Sequence, residues 1–489
     1  MLRTYGPGPS LWESILPEQA LRMPAELARV DDLLDDPRFF EPFRPFFSPA
    51  AGRPSTPIET YLRLMFLKYR YRLGFEALCR EVADSVSWSR FCRIPMGERV
   101  PDASTLKKLT TRCGPAVVEA LNKALLAKAA EAHVVKLDKV RGDTTVIPAD
   151  VGYPTDSGLL AKGAARLVIL VAALHRMGFA SRTGLRDRGR SMRRRAHDIG
   201  AWLRRRSDEA KEEAKAITAE MASIAEASLS EARKVAVNAR RGIAKSGASA
   251  SGKAVAVLGE LDTTIERLER VIAQTRSRLG GAMPAGSTRL VSLHDPDARP
   301  IAKGRLGRPV EFGYLGQVID NADGIVLDHL ILIGNPPDGP LLAPAVERIK
   351  QLVGRAPRAV TADRGYGEAK VDDDLRALGV KKVAIIRKGR PGAARTQLQR
   401  RRGFVKLIKW RTGCEARIAC VKRDYGWGRS RMDGIDGTRV WCGWGILAHN
   451  SVKVGRLLDE KPDAPARSTT PRSPWAKAKS PPPTPVKAA

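Results

Sequence analysis

Lys139-Val-Arg-Gly-Asp-Thr-Thr-Val-Ile147 reads as a strand, yet it carries an aspartate, Asp143, at its centre. Aspartate is depleted in strands, so the acid is either a strand-end or capping residue or is placed there for chemistry. A second apolar run, Ala359-Val-Thr-Ala-Asp-Arg-Gly-Tyr366, closes on Asp363, and Gly365 permits a tight turn directly behind it. Towards the carboxyl end, Arg411, Glu415 and Lys422 stand four and then seven residues apart in a segment that reads as one helix. At 3.6 residues per turn that spacing sets a carboxylate between two cations on a single face. Ile418 shares the stripe, and Cys414, Cys420 and Val421 interrupt the segment. Glu415 is therefore expected to be a partly buried acid beside cations, costly as structure alone.

Working outward from Asp143, a long helix (116–132) leads into its strand, and residues about 157 to 280 carry helical patterning with no strand signal. Within them lies an arginine-rich stretch from Arg182 to Arg206, and the Ser/Gly-rich segment 246–252 is expected to be flexible. Strand-like runs resume at 309–320 and 324–333, joined by Asn321-Ala-Asp-Gly324, a strong hairpin signal. A helix (341–352), the Asp363 strand, a helix (368–378) and a strand (382–386) follow. This order resembles a mixed α/β sheet of the ribonuclease-H type with a large helical insertion after its first strand. Upstream, Thr56-Pro57 opens a helical pattern. Three short helices, the third bearing Lys107, Lys108 and Arg112, fit an all-α, helix-turn-helix-like DNA-binding domain; an ordinary helical bundle with a solvated basic face is the alternative. The expected organisation is an irregular N-terminal arm (1–53), the helical domain (54–135), a catalytic domain (136–459) with its insertion at about 157–285, and a Pro-rich disordered tail (460–489).

Charge narrows the partner. The chain has 85 Lys+Arg against 53 Asp+Glu, a formal net charge of +32. Such a surplus calls for a polyanion, nucleic acid first, with anionic membrane or ribosomal RNA as alternatives. No stretch approaches the roughly 20 apolar residues of a membrane span, the N-terminus lacks the apolar core of a secretory signal, and the six cysteines show no CxxC pairing. The cysteines therefore read as reduced cytosolic thiols. Two Asp and one Glu on such a chain point to metal-assisted phosphodiester chemistry, since carboxylates suit Mg²⁺. Lys422, Arg423, Arg429 and Arg431, interleaved with Tyr425 and Trp427, are expected to hold the DNA backbone by charge and stacking.

From Pro54 to Leu458 the chain resembles bacterial insertion-sequence transposases of the Asp-Asp-Glu (DDE) type. The likeness rests on Gly142-Asp-Thr-Thr-Val146, Tyr153-Pro-Thr-Asp156, Phe312-Gly-Tyr-Leu-Gly316, Thr361-Ala-Asp-Arg-Gly-Tyr366 and Leu447-Ala-His-Asn450. Many members carry Tyr, two residues, Arg, three residues, Glu, six residues, Lys. Arg411, Glu415 and Lys422 match that spacing, and Ile408 stands where the Tyr would be. The resemblance implies that Asp143, Asp363 and Glu415 bind two Mg²⁺ or Mn²⁺ ions. It further implies cleavage of double-stranded DNA at the element's terminal repeats and joining of the 3′ ends to target DNA, with Arg411 and Lys422 orienting phosphate. A homodimer pairing both ends is the expected assembly. A catalytically silent, transposase-derived regulator and a ribonuclease-H-like nuclease without strand transfer are the competing readings.

Overall fold

The computed structural model describes residues 1–49, 51–246, 252–305 and 308–460. Most of the segment expected to be flexible (246–252) and the Pro-rich tail beyond 460 lie outside these residues.

The first 53 residues are not an irregular arm. They form α1 (Leu11–Ile15), α2 (Glu18–Leu21) and α3 (Ala25–Leu34), followed by two short 3₁₀ turns. Leu27, Val30, Leu33 and Leu34 recur at the three-and-four spacing of a helix face, and they are buried together with Phe39, Phe40 and Phe43. Next come α4 (Ile58–Arg70), α5 (Phe75–Asp84), α6 (Val86–Phe91) and α7 (Ala103–Glu131). The two helices expected at 101–112 and 116–132 join end to end in α7, with a sharp kink where they meet. Gly114 takes φ 60° there, which glycine tolerates, and Pro115 follows without an N–H to donate. Every residue of α4 from Ile58 to Tyr69 is buried, including Arg63, which pairs with the equally buried Asp31 at 2.8 Å.

After β1 (Val140–Pro148) the chain leaves the sheet for four helices: α8 (Asp156–Arg176), α9 (Gly189–Leu203), α10 (Asp208–Ser246) and α11 (Gly252–Leu279). They enclose a core of their own, with Leu160, Leu167, Met221, Leu261 and Leu268 at its centre. By length and composition α8 is apolar enough to cross a membrane, which the sequence reading missed, but half of its most apolar window is buried inside this bundle.

The chain then returns to the sheet through β2 (Arg299–Arg305), β3 (Arg308–Asn321) and β4 (Val326–Ile333). The remaining elements are α12 (Gly339–Val353), β5 (Ala359–Ala362), α13 (Ala369–Ala377), β6 (Lys382–Ala384), α14 (Ala393–Arg400), α15 (Arg402–Arg411), α16 (Gly413–Asp424) and α17 (Gly434–Asp459). The sheet runs β2-β3-β1-β5-β6, and β4 also pairs with β3. Pairing is antiparallel on the β3 side of β1 and parallel on the β5 side. The expected hairpin is present: Asn321 donates its N–H to the Ile325 carbonyl at 3.1 Å, and Gly324 takes φ 80°. Strand β2 was not foreseen.

One core spans the sheet and the N-terminal helices. Val140, Ile319 and Val360 meet Leu121 and Leu125 of α7, Leu342 of α12, and Trp444 and Leu447 of α17. Residue 135 therefore marks a change of secondary structure within a continuous core.

Candidate active site

Sheet register brings the two aspartates together. Gly142 on β1 pairs in parallel with Ala362 on β5. The next residue along the chain is an aspartate in both cases, Asp143 within β1 and Asp363 just past the end of β5 and still extended, so the register sets the two side by side on the same face. Asp143 is largely buried, its side chain 14% exposed, and its Oδ1 accepts the Thr144 N–H at 2.8 Å. Asp363 stands just before the short turn formed by Arg364–Tyr366 without a side-chain capping bond, and its Oδ1 is buried with no hydrogen-bond partner among the described residues.

A further acid stands with them that sequence reading missed. Asp338 precedes α12 and accepts a hydrogen bond from Thr144 Oγ1 at 3.0 Å. A Cβ on Gly365 would fall 2.7 Å from Asp338 Oδ2 and 2.9 Å from Asp363 Oδ1, so both carboxylates crowd this glycine. Tyr366 lies buried beside the group. Burial pushes its hydroxyl well above the usual range, and the negative charges of Asp338, Asp143 and Asp363 push it the same way. Gln317 donates to that hydroxyl at 3.1 Å. The sequence holds a signal for Asp338, since Asn335-Pro-Pro-Asp338 places an acid just before a helix start.

Glu415 sits differently from its expectation. Arg411 and Glu415 belong to consecutive helices, α15 and α16, with Thr412 between them still in helical conformation, so their four-residue spacing survives the break. The glutamate is not partly buried; its side chain is 71% exposed. It reaches the aspartates through a cation: the Arg411 guanidinium lies 3.6 Å from Asp143 and 3.8 Å from Glu415. Among the described residues, no three Asp, Glu, His or Cys side chains converge closely enough to hold a metal ion as they stand.

Behind Arg411 is a buried brace. Arg141 on β1 binds Asp320 of β3 through two nitrogens, at 2.7 and 2.9 Å. The same guanidinium donates to the Trp410 carbonyl at 2.8 Å and stacks 4.5 Å over its ring. Arg417 of α16 shares Asp320 Oδ2 with Arg141, at 3.3 Å. A Cβ on Gly413 would lie 2.3 Å from the Arg141 guanidinium, so a side chain there would push that guanidinium out of the brace. This brace holds the α15–α16 junction, and with it Arg411, against Asp143.

Of the residues expected to contact DNA, Lys107, Lys422 and Arg423 line one cleft between α4, α5 and α7 on one side and the α16–α17 segment on the other. Lys107 pairs there with Glu76 at 2.5 Å, and Arg423 pairs with Asp424 at 2.8 Å. Lys108 and Arg112 are exposed on α7 but outside that cleft, and Arg112 packs 5.2 Å over the Phe47 ring. Tyr425 and Trp427 do not offer stacking faces. Both are buried, and Trp427 donates its Nε1–H to the Cys442 carbonyl at 3.0 Å, which makes it part of the core.

Comparison with known proteins adds two matches on either side of the insertion. Residues 15–112 match a transposase domain, DUF772, and residues 293–451 match the transposase DDE domain. The second span contains Asp363 and Glu415; β1 with Asp143, and the helical insertion, lie between the two spans. Among curated proteins, the chain is 32% identical over 147 residues to an uncharacterized protein, ORF8 in the nfe locus of Rhizobium meliloti, covering 29% of this chain and 70% of that protein. No solved structure matches.

Proposed function

Because the chain belongs to the insertion-sequence transposases of the DDE type, we propose that it binds the ends of an insertion sequence, cleaves there and joins the 3′ ends to target DNA. The observation that carries this reading is the register of β1 and β5, which sets Asp143 beside Asp363 and lets Arg411 link Asp143 to Glu415. The strand order β4-β3-β1-β5-β6, with parallel pairing only on the β5 side, supports a ribonuclease-H-like sheet.

The residues present fit a divalent-cation site in two respects. Asp363 holds a buried oxygen without a partner among the described residues, and a guanidinium already occupies cationic space between Asp143 and Glu415. Asp143, Asp363 and Glu415 would hold Mg²⁺ or Mn²⁺, and Asp338 stands beside them as a fourth carboxylate. Two such ions, when bound, supply activation of the attacking hydroxyl and stabilisation of the leaving oxygen. In this scheme the protein's own groups position the reactants. Arg411 turns from the carboxylates to the substrate phosphate, where its planar fork suits bidentate binding. Arg141 and Arg417 hold the α15–α16 junction still through Asp320. Lys107, Lys422 and Arg423 take the DNA backbone, Lys108 and Arg112 serve end recognition from the N-terminal helices, and two copies pair the two ends.

An excision and joining assay on DNA carrying the inverted repeats that flank the reading frame tests the proposal. Mg²⁺-dependent cutting at the repeats with joined product is the expected result. Binding without cutting would mark a silent regulator, and cutting without joining a nuclease; either overturns the reading.

A further inference from the structure

The cleft that gathers Lys107, Lys422 and Arg423 has an unusual floor. Lys68, in the last turn of α4, is 3% exposed and lines this cleft of about 880 Å³. Its ammonium lies 4.4 Å from the ring of Tyr69, 4.7 Å from Phe75 and 4.5 Å from Trp441. Among the described residues it makes no hydrogen bond and no ion pair; Glu76, on the cleft wall, is bound to Lys107. Three aromatic faces and the carboxyl end of α4 attract a cation, but none of them carries a full negative charge. Buried charges are ordinarily paired, because desolvation without a counter-charge is costly. Burial accordingly pulls the Lys68 ammonium down to about 8.

The other charged groups facing this floor come from several elements: Arg72 after α4, Lys107 on α7, Lys422 and Arg423 on α16, and Arg429 and Arg431 before α17. Arg72 donates to the Arg423 carbonyl at 2.8 Å, which ties the two walls together. Seen from the catalytic side, α16 runs from Glu415 to Lys422 over seven residues, about 10 Å at 1.5 Å per residue. The cleft thus begins one short step from the acids.

We infer that this cleft is a phosphate-binding site for the DNA strand next to the cleaved bond, with the Lys68 ammonium as the buried cation that the phosphate neutralises. The inference rests on the DNA-strand-transfer reading for the identity of its ligand. A bound phosphate supplies the counter-charge that Lys68 lacks, and the aromatic cage keeps the ammonium aimed into the cleft before DNA arrives.

The test uses the full chain carrying Asp143→Asn, so that cleavage plays no part, and a duplex bearing the inverted repeat that flanks the reading frame. Lys68→Met keeps the length of the side chain and removes its charge. It should bind that duplex about tenfold or more weakly, and the slope of log affinity against log salt should shrink by about 0.9, the value for one lost phosphate contact. Calorimetry at pH 8.5 in buffers of different ionisation enthalpy should detect proton uptake by the Asp143→Asn protein on binding, because a phosphate favours the charged form of Lys68. The Lys68→Met protein should take up correspondingly less. Unchanged affinity and slope in Lys68→Met overturn the inference. Should that variant fail to fold, the absence of proton uptake by the Asp143→Asn protein at pH 8.5 overturns it instead. A protein that shows these binding effects but never cuts DNA would sink the catalytic reading and leave the cleft as a DNA-phosphate site without the place beside a cleaved bond.

Discussion

Asp363 keeps a buried oxygen with no partner among the described residues, and leaving such a group unsatisfied costs about 1–3 kcal/mol, more when it is charged. A fold retains such a cost where function uses the group. Asp143→Asn, Asp363→Asn and Glu415→Gln each preserve side-chain shape and remove the charge that would hold a divalent cation. Each should abolish cleavage and leave DNA binding intact, measured on the same duplex by product formation and by affinity. Effects within such a unit are not additive, so a double substitution should look no worse than a single one. Chelating Mg²⁺ should have the same effect. Asp338→Asn should lower the rate as well, because its carboxylate shares the space around Gly365 with Asp363; normal cleavage by this variant would limit its role to holding Thr144. Should Glu415→Gln cleave normally, Asp338 becomes the third ligand to test. Glu368 and Asp372, acids on the same stretch of chain, are already bound, the first to Lys388 at 2.8 Å and the second to Arg387 and Arg395.

The motif Leu447-Ala-His-Asn450 shows why sequence reading at the level of elements succeeds in part. The motif was legible as a family mark; its work was not, because its partners lie more than 120 residues away. Asn450 on α17 clamps the first residue of β4, accepting the Val326 N–H at 3.0 Å and donating to the Val326 carbonyl at 2.8 Å. His449 donates Nε2–H to the Gly324 carbonyl in the hairpin turn at 3.0 Å. Asn450→Ala should therefore destabilise the protein by about 2–4 kcal/mol, read from denaturant unfolding, since two buried backbone groups lose their partners. His449 adds a pH dependence. Burial, reinforced by Arg417, pulls its imidazole down to about 3 from an ordinary value near 6.5. The unfolded chain therefore binds the proton more readily, and the stability held at neutral pH is lost as pH falls from about 6.5 towards 3. A His449→Gln variant should show a shallower loss of Tm over that window; identical acid profiles would remove His449 from the account. The strands carrying Asp143 and Asp363 and the β3–β4 hairpin were readable from local alternation and turn residues. Strand β2 and the buried state of Tyr425 and Trp427 were not, because pairing and burial there depend on segments far away in the chain.

At the scale of the whole molecule, the helical insertion was visible as an absence of strand pattern, while its shape depended on packing that no local period reveals. Arg276 near the end of α11 pairs with Glu226 of α10 at 2.5 Å, and α11 stops at Leu279. Upstream of Glu226, α10 continues to Asp208, about 27 Å of helix at 1.5 Å per residue, beyond that junction. α9 lies along this overhang, with Met192 and Ile199 buried in the bundle core and Arg195 bound to Glu220 at 2.9 Å. Its outer face carries Arg190, Arg193 and Arg194, and Arg204, Arg205 and Arg206 follow directly after its end. All six are exposed, and none pairs with an acid among the described residues. Residues 182 to 206 hold ten arginines and no lysine, a choice that favours forked binding of phosphate over diffuse charge. This row is therefore expected to grip DNA backbone without reading sequence. Replacing Arg190, Arg193 and Arg194 together with Gln should leave the fold intact, since all three are exposed. Between about 50 and 200 mM salt it should reduce the slope of log affinity against log salt by about 2.7, three contacts at 0.9 each. The loss should be equal for repeat-bearing and scrambled duplexes, because backbone contacts carry no base information. A slope that stays at the wild-type value would place the overhang away from DNA, and a loss confined to the repeat sequence would make the insertion a reader of the element's ends.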